Sequence, residues 1–283
     1  GETLVGRRVE PMATLTVMGI VNVTPDSFSD GGSYLDADDA VAHGLRLVAE
    51  GADVIDVGGE STRPGAEPVS VDAELARVLG VVEQLSEKVT VSIDTRHEAV
   101  ARAAVAAGAT ILNDVGASLG RVAADLGVGW VAMHSPADPS VMARHVHYVD
   151  VVDEVTSSLV DAAEDALSAG APRVWIDPGI GFGKDLDGNL DLLAHLDQLV
   201  TTGWPVALGT SRKSSLGILS GQADRLIDPA AFDPPTEDRL EASLATAVWA
   251  ATAGVEMLRV HDVALTVEAI AAGVCLRVET PEE

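Results

Sequence analysis

Short runs rich in Val, Ile and Thr alternate along the whole chain with longer segments of Ala, Leu, Val and Glu whose apolar residues recur at helical spacing. Eight such runs begin near Thr14, Asp53, Val89, Thr110, Gly129, Arg173, Pro205 and Val255, and helical patterns such as 36–50, 71–86 and 151–169 follow them. Strand and helix in alternation predict parallel strands joined by crossover helices. Eight repeats of the unit predict one α/β domain over residues 1–283, a closed (β/α)8 TIM barrel whose working face is the C-terminal end of its strands. An open doubly wound sheet is the alternative, but it needs fewer strands and a Gly-rich turn directly after the first of them. Gly31-Gly32 stands at a distance from that strand and lacks the dinucleotide spacing. Residues 221–238 hold Pro229, Pro234 and Pro235 in an Asp-rich stretch, and are predicted to form a loop or insertion soon after the helix of the seventh unit begins.

Composition narrows the class of partner. With 47% hydrophobic but only 3% aromatic residues, the core must be built from Ala, Val, Leu and Ile, which suits buried parallel strands. The formal charge of -26 repels nucleic acid phosphates and anionic membrane surfaces, so neither is an expected partner. An anionic substrate would have to be met by a local cluster drawn from only 18 Lys and Arg. The single cysteine, Cys275, allows neither an intrachain disulfide nor a thiolate zinc site, which fits a reducing cytoplasm. No leader-like N-terminus and no apolar run of membrane-spanning length is expected.

The unusual polar residues fall where apolar runs stop. Asn22, Asp94, the pair Asn113-Asp114, His134, Asp177, Arg212-Lys213-Ser214 and Arg259 to Asp262 all stand at such ends, and Gly59 to Pro64 follows the second run. Any one of these could be turn or capping chemistry; Asp177, taken alone, could cap the turn at Pro178-Gly179. Together they form a chemical set. Asp94, Asn113 and Asp177 offer the acceptors and the amide needed to read a donor-rich heterocycle such as a pterin. Arg63, Arg212, Lys213, Arg259 and His261 offer the cations that a diphosphate leaving group requires. Ser214 adds a hydroxyl at an expected helix N-terminus, and Asn22 could serve Mg2+ as a neutral oxygen ligand. The scattered His43, His97, His145, His147 and His195 show no zinc spacing and are expected to be solvated or satisfied locally.

These residues lie in longer motifs that resemble the dihydropteroate synthase family: MGIVNVTPDSFSDGG at 18–32, GGESTRPGA at 58–66, SIDT at 92–95, ND at 113–114, MH at 133–134, DPGIGFGK at 177–184, SRKS at 211–214 and RVHD at 259–262. The resemblance covers nearly the whole chain. It implies a Mg2+-dependent transferase that joins a pterin diphosphate to para-aminobenzoate in folate biosynthesis. The catalytic set it implies is Asp94, Asp177, Lys213, Arg63 and Asp30. Pterin would be bound by Asp94, Asn113, Val115, Met133, Asp177, Gly209 and Lys213, and the diphosphate by Asn22, which also holds the metal, with Thr62, Arg63, Arg259 and His261. Aminobenzoate would lie among Phe28, Pro64, Phe182, Lys213 and Ser214. Two loops, 24–32 and 61–65, would close over the site, Arg212 would support the fold, and a homodimer would form through C-terminal helices. Val115-Gly116-Ala117 and Ser135-Pro136-Ala137 depart from the family's usual residues and put loop shape and rate in question rather than the reaction. The NVTPDSF and STRP segments weigh against a methyltetrahydrofolate-binding methyltransferase, and intact Asn22, Arg63, Lys213 and His261 against a non-catalytic pterin-binding paralogue; a phosphate-binding barrel aldolase is a third alternative, with Lys213 as its one tempting Schiff-base lysine.

Overall fold

The computed structural model describes residues 15–24, 37–60, 69–136 and 147–275. The expectations for Phe28, Asp30, Thr62, Arg63 and Pro64, and for both closing loops save Thr24, therefore concern positions outside the described residues. Within them the strands are β1 (Thr16–Asn22), β2 (Val54–Gly58), β3 (Thr90–Asp94), β4 (Ile111–Asp114), β5 (Gly129–Met133), β6 (Val174–Asp177), β7 (Ala207–Leu208) and β8 (Met257–Val260). All pairings are parallel, in the order β6-β5-β4-β3-β2-β1-β8-β7. The two ends of that order meet through a parallel bridge between Ile176 and Val206 and an Ile176 N–H donated to the Pro205 carbonyl at 2.9 Å. The sheet is thus an eight-stranded barrel, and the open-sheet alternative is set aside.

The helices are α1 (Ala37–Ala49), α2 (Val71–Ser86), α3 (Glu98–Ala106), α4 (Gly120–Leu126), α5 (Val151–Ser168), α6 (Leu186–Ala194), α7 (Leu196–Thr201), α8 (Ser214–Arg225), α9 (Leu240–Ala253) and α10 (Val263–Cys275). Several start on a side chain that satisfies the otherwise orphaned first N–H groups. Ser70 caps α2, Asp150 caps α5 through the Val152 and Asp153 N–H groups, and Asp185 caps α6 through Gly188. None of the described helices is long and apolar enough to cross a membrane.

One expectation is corrected. Residues 221–238 are not wholly loop, because α8 continues to Arg225 before the chain turns back through a short 3-10 turn at Thr236–Asp238. Gly221 permits this: a side chain there would collide with Asp233, which folds back to pair with Arg225 at 2.8 Å.

Strand side chains alternate between two apolar environments. Ile55, Val57, Ile93, Leu112 and Ile176 belong to the large core between the barrel and its helices. Met18, Val54, Ile111, Val131, Trp175, Ala207 and Met257 form a separate cluster, one residue from each of seven strands and none from a helix. That cluster is the barrel's interior floor. Two residues further along the same strands, on the same inward face, stand Ile20, Asp56, Asn113, Met133, Asp177, Gly209 and Arg259. The period of two therefore sets a largely polar layer directly on an apolar one.

Candidate active site

The polar layer is knitted by short hydrogen bonds. Arg259 on β8 donates from Nε to Asp56 Oδ2 at 2.7 Å and from Nη2 to Asp94 Oδ2 at 2.6 Å. Asn113 on β4 donates from Nδ2 to the same Asp56 oxygen at 2.9 Å. Asp56, Asp94, Asn113 and Asp177 are all buried. Asp94 is the register partner of both Gly58 and Asn113, so β2, β3 and β4 deliver these groups side by side. Gly58 also pairs with Asn22 on β1, and a Cβ built on it would lie 3.6 Å from Asp94 Oδ2 and 3.7 Å from Asn22 Oδ1. Gly209 leaves the Arg259 stem similar room at 3.6 Å.

The opposite wall comes from β6 and the loop after it. Asp177 Oδ1 accepts the Gly179 N–H at 2.7 Å, so this residue caps its turn as well as facing the pocket. Gly179, Gly181 and Gly183 all have positive φ, and a side chain on Gly179 would strike the His134 carbonyl. Lys184 holds the loop closed by donating to the carbonyls of Phe182, Gly179 and His134 at 3.0, 3.1 and 3.2 Å. Phe182 packs with Val115 and Met133 in a small apolar cluster, and the Lys213 ammonium sits 3.9 Å from the centre of its ring. Lys213 precedes α8 and Ser214 opens it.

Charge and burial compete here. Burial pushes the Asp94 carboxyl up to about 7, with Asp56 adding to the rise and Arg259 opposing it. Asp177 is also raised by burial, against the Gly179 N–H and Lys213. Burial and the neighbouring Arg259 bring Lys213 down to about 8, while Asp177 and Asp94 hold its proton on. Burial disfavours charge on Arg259, but Asp56 and Asp94 overcome it and keep the guanidinium above its ordinary range. His134 is lowered to about 4 by burial and by Lys184, so it is neutral near pH 7.

The remaining expected residues fall around this layer. Ser211 Oγ lies 3.0 Å from His261 Nδ1 and accepts the His261 backbone N–H at 3.2 Å, which ties the ends of β7 and β8 together. Arg212 turns away from the pocket into a bidentate pair with Asp262 at 2.6 and 3.1 Å. Its positive φ of 59° is held by Ser243 Oγ on its N–H and Arg239 on its carbonyl. Asn22, Asp94, Asn113, Val115, Met133, Asp177, Phe182, Gly209, Lys213, Ser214, Arg259 and His261 thus all stand on the C-terminal face. The donor set also suits magnesium, which keeps several waters and takes few protein oxygens: Asn22 supplies a neutral one beside the pocket.

Asp56 and Lys184 escape a search of strand ends, whereas Asp114 stands at one and acts on the loop beyond it. Asp56 interrupts the buried run VIDVG, and an acid inside such a run was the available signal. Asp114 accepts from the N–H groups of Gly116, Ser118 and Leu119 and from the Trp130 indole, shaping the loop that carries Val115. Lys184 gave no signal, since a lysine after a glycine run looks solvated. Outside the pocket, Glu60, Glu74 and His97 lie close enough together to hold a cation. Glu60 is already bidentate to Arg96, however, and Glu74 bonds His97 Nδ1 at 2.7 Å.

Residues 18–261 match the family described as pterin binding enzyme. The dihydropteroate synthase of Mycobacterium leprae is 45% identical over 270 residues, 92% of each chain. A structure of the Xanthomonas albilineans dihydropteroate synthase with 4-aminobenzoic acid superposes with a TM-score of 0.84 at 46% identity, covering 94% of both chains. That of the Yersinia pestis dihydropteroate synthase with a sulfonamide drug gives 0.84 at 39% identity, covering 95% of this chain and 96% of the other.

Proposed function

The chain belongs to the pterin-binding enzyme family as a dihydropteroate synthase, and from that premise we propose how its own residues divide the work. The reaction joins 6-hydroxymethyl-7,8-dihydropterin diphosphate to para-aminobenzoate. The bond between the pterin methylene and the diphosphate oxygen breaks, with its electron pair leaving on pyrophosphate. A bond from the methylene to the arylamine nitrogen forms, and that nitrogen loses a proton.

The observation that carries the assignment of roles is the buried layer of Asp94, Asn113 and Asp177 faced by Lys213 and Arg259. Two carboxylates and an amide match the amino and ring N–H donors of a pterin, and they favour positive charge spreading into the ring as the diphosphate departs. Val115, Met133 and Phe182 supply apolar walls for the flat ring. Arg259, Lys213 and His261 bind the anion, with Thr62 and Arg63 of the loop after β2 added on the strength of the resemblance. The aminobenzoate ring is assigned to Phe182 and the Lys213 stem, its carboxylate to Ser214 at the start of α8, and further contacts to Phe28 and Pro64. Asp30 completes the assigned set. The arylamine is neutral near pH 7, so attack needs no strong base, in keeping with the absence of a poised His or Glu among the described residues of the pocket.

Mg2+, held through Asn22, would neutralise charge on the departing diphosphate. A homodimer through the C-terminal helices is part of the proposal, supported by the exposure of Trp249 on α9 and Leu265 on α10. A cytoplasmic setting is proposed from the lone cysteine. The test is direct: the chain, the pterin diphosphate, aminobenzoate and Mg2+ should give dihydropteroate and pyrophosphate in equal amounts. Pterin binding without pyrophosphate release would instead indicate a non-catalytic relative.

A further inference from the structure

Two groups of the pterin layer converge on a third that has no assigned role. Asp56 lies in the middle of β2, fully buried, between Ile20 of β1 and Ser92 of β3. Its Oδ2 accepts the Asn113 amide N–H at 2.9 Å and the Arg259 Nε–H at 2.7 Å. Its Oδ1 is buried with no partner among the described residues, so one oxygen holds both donors.

This contact has a consequence for polarity. A primary amide offers two donors at one end and an acceptor at the other, and a half-turn of the side chain exchanges them. The Asp56 oxygen accepts from Asn113, so the NH2 end must face it, and the Asn113 Oδ1 end is left for the pocket. The same oxygen takes Nε of Arg259, which aims the terminal nitrogens elsewhere; one of them reaches Asp94 at 2.6 Å.

We propose that Asp56 is a positioning residue that sets the polarity of the pterin-reading edge, locking the Asn113 amide with its acceptor toward the heterocycle and directing the ends of Arg259 toward Asp94 and the anion. The proposal rests on the assignment of Asn113 to the pterin pocket. A purely structural role for Asp56, neutralising a half-buried guanidinium, would not require any particular orientation of Asn113.

The two roles separate in Asp56→Leu, which removes the acceptor while keeping similar bulk, and in the double variant Asp56→Leu with Asn113→Asp. A carboxylate at 113 presents an acceptor whichever way it turns and restores one negative charge near Arg259. Affinity is read by calorimetry with 6-hydroxymethyl-7,8-dihydropterin lacking the diphosphate. Asp56→Leu is expected to bind at least about 10-fold more weakly, a size expected of a lost polar contact to a buried group. Adding Asn113→Asp should recover most of that loss. Unchanged affinity in Asp56→Leu, or a double variant no better than the single, overturns the proposal. Asn113→Ala is the control: if it binds the pterin normally, the assignment of the pocket has failed rather than the role of Asp56. Should Asp56→Leu not fold, Asn-selective nitrogen-15 labelling of the unaltered protein decides the matter. The Asn113 side-chain amide protons, identified by their loss in Asn113→Ala, should exchange slowly before any ligand is added; fast exchange overturns the lock.

Discussion

Replacing Asp177 by Asn separates recognition from stability, because the position of one hydrogen bond dictates how the new amide must turn. Asp177 Oδ1 accepts the Gly179 N–H at 2.7 Å, and an asparagine keeps that bond only by placing its own oxygen there. Its NH2 then points where the second carboxylate oxygen had been, so a donor meets the donors of the pterin. At least one charge-assisted bond is lost, worth about 1.5–3 kcal/mol, or roughly 10- to 150-fold in Kd. Stability should move the other way. Burial raises the Asp177 pKa, which means that the folded state favours the neutral acid. The stability linked to that preference is present at low pH and lost as pH rises through the folded pKa, so at pH 7 a neutral amide removes a penalty rather than a support. Calorimetry with the diphosphate-free pterin should therefore show the weakened binding in a protein whose Tm is unchanged or higher. Affinity within about 2-fold of the unaltered protein, a margin far below one charged hydrogen bond, would refute the orientation inferred here, and so would a large fall in Tm accompanying the loss.

Three further outcomes are expected. Affinity for the diphosphate-free pterin should rise with pH as Asp94 ionises through about 7 and fall again as Lys213 loses its proton through about 8, so a titration across that window that is flat would contradict the pairing of these groups. Gly179→Ala must adopt a φ of 66° and meets the His134 carbonyl, so its urea midpoint should drop by the equivalent of about 1–2 kcal/mol for the backbone alone; an unchanged midpoint would mean that the loop relaxes freely. A sulfonamide should raise the apparent KM for aminobenzoate and leave kcat unaltered, whereas inhibition that aminobenzoate cannot reverse would place the drug elsewhere.

The alternation of β-branched and helical segments made the barrel legible, and α2 matches its predicted span at Val71–Ser86. β7 is shorter than its apolar run suggested: Pro205 has no N–H to give a ladder, so closure there relies on its carbonyl and a single bridge at Val206. The far end of α8 was hidden because the three prolines and the aspartates of 221–238 made the whole stretch look like loop, and the reason for Gly221 within the helix, the close approach of Asp233, is tertiary. At the site, strand ends were a good guide to Asp94, Asn113 and Asp177. They were a poor guide to Asp56, which reaches the same layer from the middle of its strand because the strands are staggered around the barrel axis. Lys184 shows the opposite difficulty. Its role depends on three carbonyls, one at the end of β5 and two in the turn after β6, and no residue type nearby announces a carbonyl.

The Arg259 guanidinium is engaged by two carboxylates before any substrate arrives, and this alters how the protein must capture an anion. At a distance, an incoming diphosphate meets the chain's net charge of -26 rather than the pocket's cations. Repulsion of that kind is long-ranged and fades over a Debye length of about 10 Å at 0.1 M salt. The attraction is short-ranged, lying among buried groups that salt reaches poorly. Added electrolyte should then lower the barrier to approach while leaving the final grip nearly intact. Substrate capture would quicken with ionic strength, the reverse of what a basic, diphosphate-attracting surface would give.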